Sequence, residues 1–387
     1  MPNTTIKQAA IVDNLDMNYC KDIDKKIEAV LSNLDKEALE KGIDNLKKHI
    51  DNIKNITTFK VGDNRGAGKS RKRAKDFVKQ MIKQLLNQDK FKNHIDDNDV
   101  IAVLASTGGG TGSGISVMLT DLLSVMYPDK RFILVHVLPS LKESLASQQN
   151  TIEYLQEMNN INVTYMSYDN GRKDHLSTNV MLKNMNEEIV EDLAVIRGDY
   201  LISTPFTSID EQDLTRILEV PGRLMVHRVY DIKEKDVENQ DIEQLLLDTI
   251  VNNEYMTELQ PDRKVKKMGV VENLTDKLAN KVDSNLDRFK DEIGHPIEGF
   301  EHMAIIKPGT NYKNRLIVMS SGLSLPENRI EKINERIQEI LDELEKQKQE
   351  ESSILSAIKT SELDNLRAGR GDDGVDEIDI DDFLGKY

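Results

Sequence analysis

Residues 97–119 read DNDVIAVLASTGGGTGSGISVML. The run Val100–Ala105 is continuously apolar and partly β-branched, which predicts a strand buried on both faces of a parallel sheet. A dense glycine cluster follows, and the residues from Ile115 to Val125 then predict a helix. A strand, a glycine loop and a helix together favour anion binding. Glycine lets the backbone approach an anion, and the helix N-terminus offers free N–H groups.

The glycine loop of this stretch is the first candidate binding site. Its backbone N–H groups and two hydroxyls would hold phosphate oxygens. The residues concerned are Gly108, Gly109, Gly110, Thr111, Gly112 and Ser113. The loop is neither a Walker loop, which ends in Gly-Lys-Ser or Gly-Lys-Thr, nor the dinucleotide-binding fingerprint. A flexible turn is the weaker alternative, because the glycines are so dense. The sequence GGGTGSG resembles the signature loop of the tubulin/FtsZ superfamily of GTPases. That resemblance implies bound GTP or GDP, with a magnesium ion held by phosphates and water.

Composition and charge limit the classes of protein to consider. The chain has 387 residues, enough for two domains, and its formal net charge of −16 argues against a general nucleic-acid or lipid binder. A single cysteine excludes a disulfide framework and a thiolate zinc cluster, and the histidines show no metal-ligand spacing. No apolar run reaches transmembrane length, and the polar N-terminus has no signal-peptide pattern. We therefore expect a cytoplasmic protein without direct contact to nucleic acid or membrane, and without a protein-held metal.

A second glycine loop follows the predicted strand Thr57–Val61. It carries Gly66 and Gly68, whose backbone N–H groups would contact a terminal phosphate. A helix predicted over residues 71–87 begins with basic residues that would balance phosphate charge. This basic cluster consists of Lys69, Arg71, Lys72, Arg73 and Lys75. A basic face in contact with solvent is the alternative. The Arg-Gly-Ala-Gly sequence followed by basic residues resembles the corresponding loop of TubZ and the phage tubulins.

Strands and helices alternate after the first loop. Arg131–Leu138 and Asn162–Ser167 are predicted strands, and Glu143–Met158 between them is a predicted helix. This alternation predicts right-handed crossovers and a parallel sheet, so the fold class is α/β. Ligands of such sheets bind beyond the carboxyl ends of the strands. Because both glycine loops and the pair Asp169-Asn170 follow strand ends, we expect them at one end of the sheet.

Two asparagines lie on one face of the helix predicted over residues 177–196. Asn179 and Asn186 are two helical turns apart. An amide both donates and accepts hydrogen bonds, as the guanine edge and a ribose hydroxyl require. Two ordinary surface residues are the alternative. Both positions match asparagines of TubZ, and the resemblance implies that both bind nucleotide.

The segment after the predicted strand Tyr200–Phe206 carries the candidate catalytic residues. Asp210 and Asp213 lie at the start of a predicted helix, where carboxylates also serve as caps. The surrounding Thr-Pro-Phe and Pro-Gly sequences resemble TubZ. In the superfamily, acidic residues of this loop polarise the water that attacks the γ-phosphate held by the next subunit. The resemblance implies this role in trans for both aspartates, with Asp210 favoured and Glu211 the main alternative.

The chain divides further by composition. Residues 57–222 form the predicted GTPase domain, whose central helix leads to a smaller α+β domain at residues 223–323. The sequence Ser324–Glu327 is a capping box that opens a long helix predicted over residues 324–360. Residues 361–387 are acidic and glycine-rich, which predicts a disordered tail. That tail either solubilises the chain or binds a neighbouring subunit or a DNA-binding adaptor.

Residues 1–56 depart from the superfamily pattern. They form an atypical, mostly helical segment with a short strand at Gln8–Val12 and a single glycine, Gly42. The superfamily begins with a strand and a nucleotide-holding glycine loop, and that loop is not visible here. The resemblance therefore covers roughly residues 57–345.

The resemblance implies a filament-forming cytoskeletal GTPase. Its subunits would polymerise head to tail, complete each catalytic site at the contact between subunits, and segregate or position plasmid or phage DNA. Two alternatives stay open. One is an FtsZ-like cell-division protein, and the other is a nucleotide-deficient regulatory or capping paralogue.

Overall fold

The structure is a computed structural model. It describes residues 9–12, 56–59, 66–173, 176–198, 211–233, 235, 242–252, 256–259, 264–279, 286–306 and 314–368. The chain divides into two units, Met1–Asn334 and Glu335–Tyr387. The described part of the second unit is helical. No helix in the described ranges combines the length and the apolar character that a bilayer crossing demands.

The first unit contains strands and helices, and its last helix continues into the second unit. The strands are β1 (Ala9–Val12), β2 (Ile56–Phe59), β3 (Val100–Ser106), β4 (Arg131–Leu138), β5 (Thr164–Asp169), β6 (Gly222–Tyr230), β7 (Val265–Leu274), β8 (Pro296–Ile306) and β9 (Arg315–Leu323). The helices are α1 (Arg71–Leu86), α2 (Asp89–Asp96), α3 (Thr111–Met126), α4 (Leu145–Met158), α5 (Thr178–Ile196), α6 (Glu211–Leu218), α7 (Ile242–Asn252), α8 (Asp276–Ala279), α9 (Asp287–Ile293) and α10 (Glu327–Ala368).

A seven-stranded sheet forms the centre of the first unit, in the order β3-β4-β5-β6-β9-β7-β8. Strands β3 to β6 pair in parallel, β9 runs antiparallel to both β6 and β7, and β8 is parallel to β7. Strands β1 and β2 form a separate parallel pair. The predicted α/β class is confirmed, and the strands β3 to β6 form the predicted parallel part of the sheet.

Strand β4 shows how the sheet separates two buried clusters. Ile133 and Val135 belong to a cluster that continues through β5 to β9 and helix α5. Phe132 and Leu134, on the opposite face, belong to a cluster built from helices α1, α3 and α4. Alternate residues of a strand point to opposite faces, so one run of apolar residues serves both clusters. Helices α1, α3 and α4 therefore pack on the same face of the sheet, and the two glycine loops lead into α1 and α3.

Strand β3 is less buried than predicted. We expected it to be covered on both faces, but its side chains are only partly buried and Leu104 is 56% exposed. Within the described residues β3 pairs with β4 alone and forms an edge of the sheet. An edge strand has fewer neighbours to cover it, whereas β4, with a strand on each side, is buried along almost its whole length.

Several helices begin or end at residues other than the predicted ones. Helix α3 begins at Thr111, inside the glycine loop, and not at Ile115. Helix α4 begins at Leu145, because Ser144 caps it by accepting a hydrogen bond from the Ser147 backbone N–H. The helix predicted over residues 324–360 runs from Glu327 to Ala368.

Other predictions fall on residues outside the described ranges. The predicted strand Tyr200–Phe206 is one of them, and the acidic tail beyond residue 368 is another. Of the predicted N-terminal segment, residues 1–56, the described ranges include only β1 and Ile56 at the start of β2.

Candidate functional site

The two glycine loops meet at the carboxyl end of β3. A Cβ built on Gly110 would lie 2.8 Å from the Lys69 backbone and 2.8 Å from the Ser70 nitrogen. A Cβ built on Gly114 would lie 2.7 Å from the Arg71 carbonyl oxygen. No real Cβ tolerates such contacts with a backbone. Gly110 is therefore required for the close approach of the loops and Gly114 for the close packing of α3 on α1, whereas their φ angles impose no such requirement.

Asn150 on helix α4 bridges the same two loops. Its Nδ2 lies 3.0 Å from the Lys69 carbonyl oxygen, 3.3 Å from that of Gly108 and 3.2 Å from that of Gly109. The side chain is buried. An amide group placed among three backbone carbonyls holds both loops in one arrangement, because leaving any of these groups unbonded in the interior is costly.

The signature loop directs some of its hydroxyls inward. Ser113 is buried, and its hydroxyl donates to the Gly109 carbonyl oxygen. Ser116 donates similarly to the Gly112 carbonyl oxygen at 2.8 Å. Thr111 is half-buried. Gly109 has open space on its Cβ side, with no atom within 4 Å of a built Cβ. The loop backbone thus borders open space at Gly109, whereas the Ser113 hydroxyl is used to stabilise the loop itself.

The basic cluster separates into residues with different partners. Arg71 is buried, with Nη1 3.0 Å from Glu153 Oε2 and Nη2 2.6 Å from Glu157 Oε2. Its Nη2 also donates to the Ser113 carbonyl oxygen at 3.1 Å. Lys75 pairs with the other oxygen of Glu157. The charges of Arg71 and Lys75 are therefore compensated within the protein, and their main effect is to attach α1 to α4.

Lys69 lies on the second loop beside the first. Its ammonium group donates to Ser144 Oγ at 2.7 Å and to Ser147 Oγ at 2.8 Å. Its φ is 61°, in the left-handed region, as are those of Gly66 (66°) and Gly68 (57°). Gly66 and Gly68, proposed as phosphate-binding positions, lie on the loop that reaches Gly110 through Lys69.

Asp169, at the end of β5, has a buried partner of opposite charge. Its Oδ2 lies 2.7 Å from Arg329 Nε, and its Oδ1 accepts from Arg329 Nη2 at 3.0 Å and from the Gly171 N–H at 2.8 Å. Burial raises the pKa of Asp169, and Arg329 opposes that rise. Arg329 also donates to the Pro139 carbonyl oxygen at 2.6 Å, and Pro139 lies beside Gly108. Asp169 thereby joins the start of α10 to the site end of the sheet.

The other predicted site residues lie on or near helices α5 and α6. Asn179 and Asn186 are exposed on α5. Asp210 lies outside the described residues, whereas Asp213 and Glu211 fall in α6, whose backbone alone is described at those positions. Within the described part of the chain, no cluster of three or more His, Cys, Asp or Glu side chains is arranged to hold a metal ion.

Sequence reasoning missed the contribution of helix α4. Ser144, Ser147 and Asn150 recur at a helical period and face the two loops, and Ser147 and Asn150 are buried. A search for apolar stripes passes over such a helix, because its buried face is partly polar. Polar residues at helical spacing directly after a buried strand were the signal available.

Comparison with known proteins gives consistent matches. Residues 6–175 match the family model described as Tubulin/FtsZ family, GTPase domain. The tubulin-like protein TubZ of Clostridium botulinum C phage is 25% identical over 369 residues, covering 89% of this chain and 91% of that protein. The crystal structure of C. botulinum phage c-st TubZ has a TM-score of 0.56 at 22% identity, covering 74% of this chain and 84% of that chain. A GTPγS-form protofilament of Bacillus thuringiensis serovar israelensis TubZ has a TM-score of 0.58 at 16% identity, covering 80% and 82%.

The matches also correct one prediction. The resemblance does not start near residue 57, because the family match already begins at residue 6 and includes strand β1. The presence of a single glycine in residues 1–56 suggested the limit at residue 57. That inference fails because a family can keep its first strand while its loop sequence diverges. The loop geometry, the family match and the likeness of fold agree: residues 6–175 are similar to the GTPase domain of the tubulin/FtsZ family, and the fold is similar to that of TubZ.

Proposed function

We propose that the chain is a filament-forming GTPase of the TubZ and phage-tubulin type. Its subunits would bind GTP, associate head to tail, and hydrolyse GTP at the contact between them. The task would be to segregate or position plasmid or phage DNA. One observation carries the proposal: the two glycine loops lie against each other at the end of β3, joined by Asn150.

The described residues fit the phosphates of a nucleotide. The signature loop and the N-terminus of α3 provide backbone N–H groups, and Gly109 faces open space. Amides and a helix N-terminus suit an anion without further side chains. We assign the guanine and ribose contacts to Asn179 and Asn186. Magnesium usually keeps several waters and binds through phosphates, so it needs no dedicated protein cage.

We assign the hydrolytic step to Asp210 and Asp213 of a neighbouring subunit. A carboxylate that accepts a hydrogen bond from water orients that water for in-line attack, and phosphoryl transfer depends mainly on such positioning and on charge stabilisation. A TubZ crystallised as a GTPγS-form protofilament supports assembly as the setting for this step. The acidic residues 361–387 would bind either a neighbouring subunit or a DNA-binding adaptor.

Nucleotide titration of the full chain tests the proposal. We expect saturable binding of GTP and GDP at micromolar concentrations, and GTP-dependent light scattering with phosphate release. Absence of binding at high micromolar GTP would contradict the proposal. That outcome would favour the nucleotide-deficient paralogue, which the single glycine among residues 1–56 supports.

The FtsZ-like alternative differs in cellular purpose and shares the chemistry. A fluorescent fusion in the host cell separates the two functions. We expect filaments associated with plasmid or phage DNA, whereas a ring at mid-cell would support cell division.

A further inference from the structure

Lys69 differs from Arg71 and Lys75 at the start of α1. Arg71 and Lys75 are paired with the carboxylates of Glu153 and Glu157. Within the described residues, the side-chain contacts of Lys69 are the neutral hydroxyls of Ser144 and Ser147. Its positive charge is therefore left without a carboxylate partner there, at the point where the two glycine loops meet.

The ammonium group lies beside the signature loop. It is 2.8 Å from Ser147 Oγ, and the Ser147 Cβ lies 3.1 Å from a Cβ built on Gly108. The backbone of Lys69 also contacts the loop, at Gly110. Main chain and side chain of one residue thus lie beside the short stretch Gly108–Gly110, whose middle residue faces open space.

The backbone of Lys69 is held in an unusual conformation. A φ of 61° is uncommon for a residue with a side chain. The Lys69 carbonyl oxygen accepts a hydrogen bond from Asn150 Nδ2 at 3.0 Å, which stabilises that conformation. As a result the lysine is presented from a defined position on the loop.

We infer that Lys69 distinguishes a nucleoside triphosphate from a diphosphate. Its ammonium group would exchange the hydroxyls of Ser144 and Ser147 for an oxygen of the terminal phosphate. An ammonium group has three N–H donors, and a hydrogen bond to a charged oxygen is stronger than one to a hydroxyl. The inference rests on the proposed nucleotide site, and it adds the residue and the two serines that set the preference for triphosphate.

The test compares affinities for GTPγS and GDP by isothermal titration calorimetry with the full chain. We expect Lys69→Met to weaken GTPγS binding about 10- to 100-fold, the loss typical of one hydrogen bond to a charged group, and to change GDP binding less than about twofold. Lys69→Arg should retain most of the preference. Lys79→Met removes an equal charge from an exposed position on α1 and should change neither affinity.

The serines provide a second test that does not alter the lysine. Ser144→Ala with Ser147→Ala removes the competing hydroxyls, so the ratio of GTPγS affinity to GDP affinity should rise. An unchanged or reduced ratio contradicts the inference, and this remains true if Lys69→Met does not fold.

Two further outcomes separate the inference from the proposed function. Equal losses of GTPγS and GDP binding in Lys69→Met would mean that the lysine only positions the loop, which overturns the inference and leaves the nucleotide site intact. Failure of the unmodified chain to bind either nucleotide would overturn both.

Discussion

Asp192 on α5 is fully buried and accepts hydrogen bonds from two different strands. Tyr168 Oη on β5 donates to Oδ2 at 2.6 Å, and Arg228 Nε on β6 donates to Oδ1 at 2.7 Å. Arg228 also pairs with Glu188 at 2.6 Å. Burial raises the pKa of Asp192 to about 7, and the charge of Arg228 opposes that rise. One carboxyl group therefore links the helix to the sheet and titrates near neutral pH.

This raised pKa predicts a pH dependence of stability. A folded-state pKa above the unfolded value of 3.8 stabilises the fold fully below pH 3.8, and this contribution is lost as pH rises through about 7. Relative to Asp192→Asn, the original chain should lose roughly 2–3 kcal/mol of unfolding free energy between pH 5 and pH 8. Urea unfolding at several pH values measures the difference. The buried His136 and His227 titrate in both proteins and cancel in the comparison. Parallel pH curves for the two proteins would contradict this account.

Gly110 predicts a second effect at the scale of one residue. In Gly110→Ala the new methyl group would meet the backbone of Lys69 and Ser70 at 2.8 Å. We expect a loss of about 2 kcal/mol in unfolding free energy, because backbone cannot yield as a flexible side chain does. Gly109→Ala is the matched control, since no atom lies within 4 Å of its built Cβ. Its unfolding free energy should stay within about 0.5 kcal/mol. Equal urea midpoints for the two variants would show that the loops are not in contact.

Among elements, helix α1 is attached to α4 mainly through Arg71. The guanidinium group is only 3% exposed and bonds to Glu153, Glu157 and the Ser113 carbonyl oxygen. Arg71→Met should lower the free energy of unfolding by about 2–3 kcal/mol, because it removes the buried guanidinium that bonds to both Glu153 and Glu157 and leaves Glu157 with Lys75 alone. Lys79→Met, exposed on the same helix, should change it by less than about 0.5 kcal/mol. Urea unfolding measures both, and equal values would assign the attachment to other contacts.

Sequence patterns predicted the positions of strands and helices better than they predicted the contacts between those elements. The apolar run Arg131–Leu138 predicted β4 at its observed bounds, since a strand buried on both faces needs no polar residue. Burial of β3 was overestimated, because a sequence does not show which strand stands at an edge. The polar, buried face of α4 was missed, because Asn150 has a role only after two distant loops are brought to it. The close approach of Gly110 to Lys69 could not be predicted either, because it joins residues that are distant in the sequence.

In the whole molecule, we expect filament assembly and GTP hydrolysis to depend on different residues. Asp210→Ala should preserve GTP-dependent polymers and reduce phosphate release about 100-fold or more, as loss of a group that positions the attacking water does. Light scattering and a phosphate-release assay on the same sample measure both properties. Asp213→Ala and Glu211→Ala are the companion variants, with a smaller loss expected for each. Unchanged hydrolysis in Asp210→Ala would remove that residue from the mechanism.

We propose that one copy of the chain holds GTP between its two glycine loops and that a second copy completes the site. The most direct measurement is phosphate release per subunit across a range of protein concentrations, with sedimentation of the same samples. We predict negligible turnover at low concentration and a steep rise at the concentration where the protein begins to sediment with GTP. Turnover per subunit that stays constant across that concentration, or polymer that forms without any GTP hydrolysis, would contradict the account.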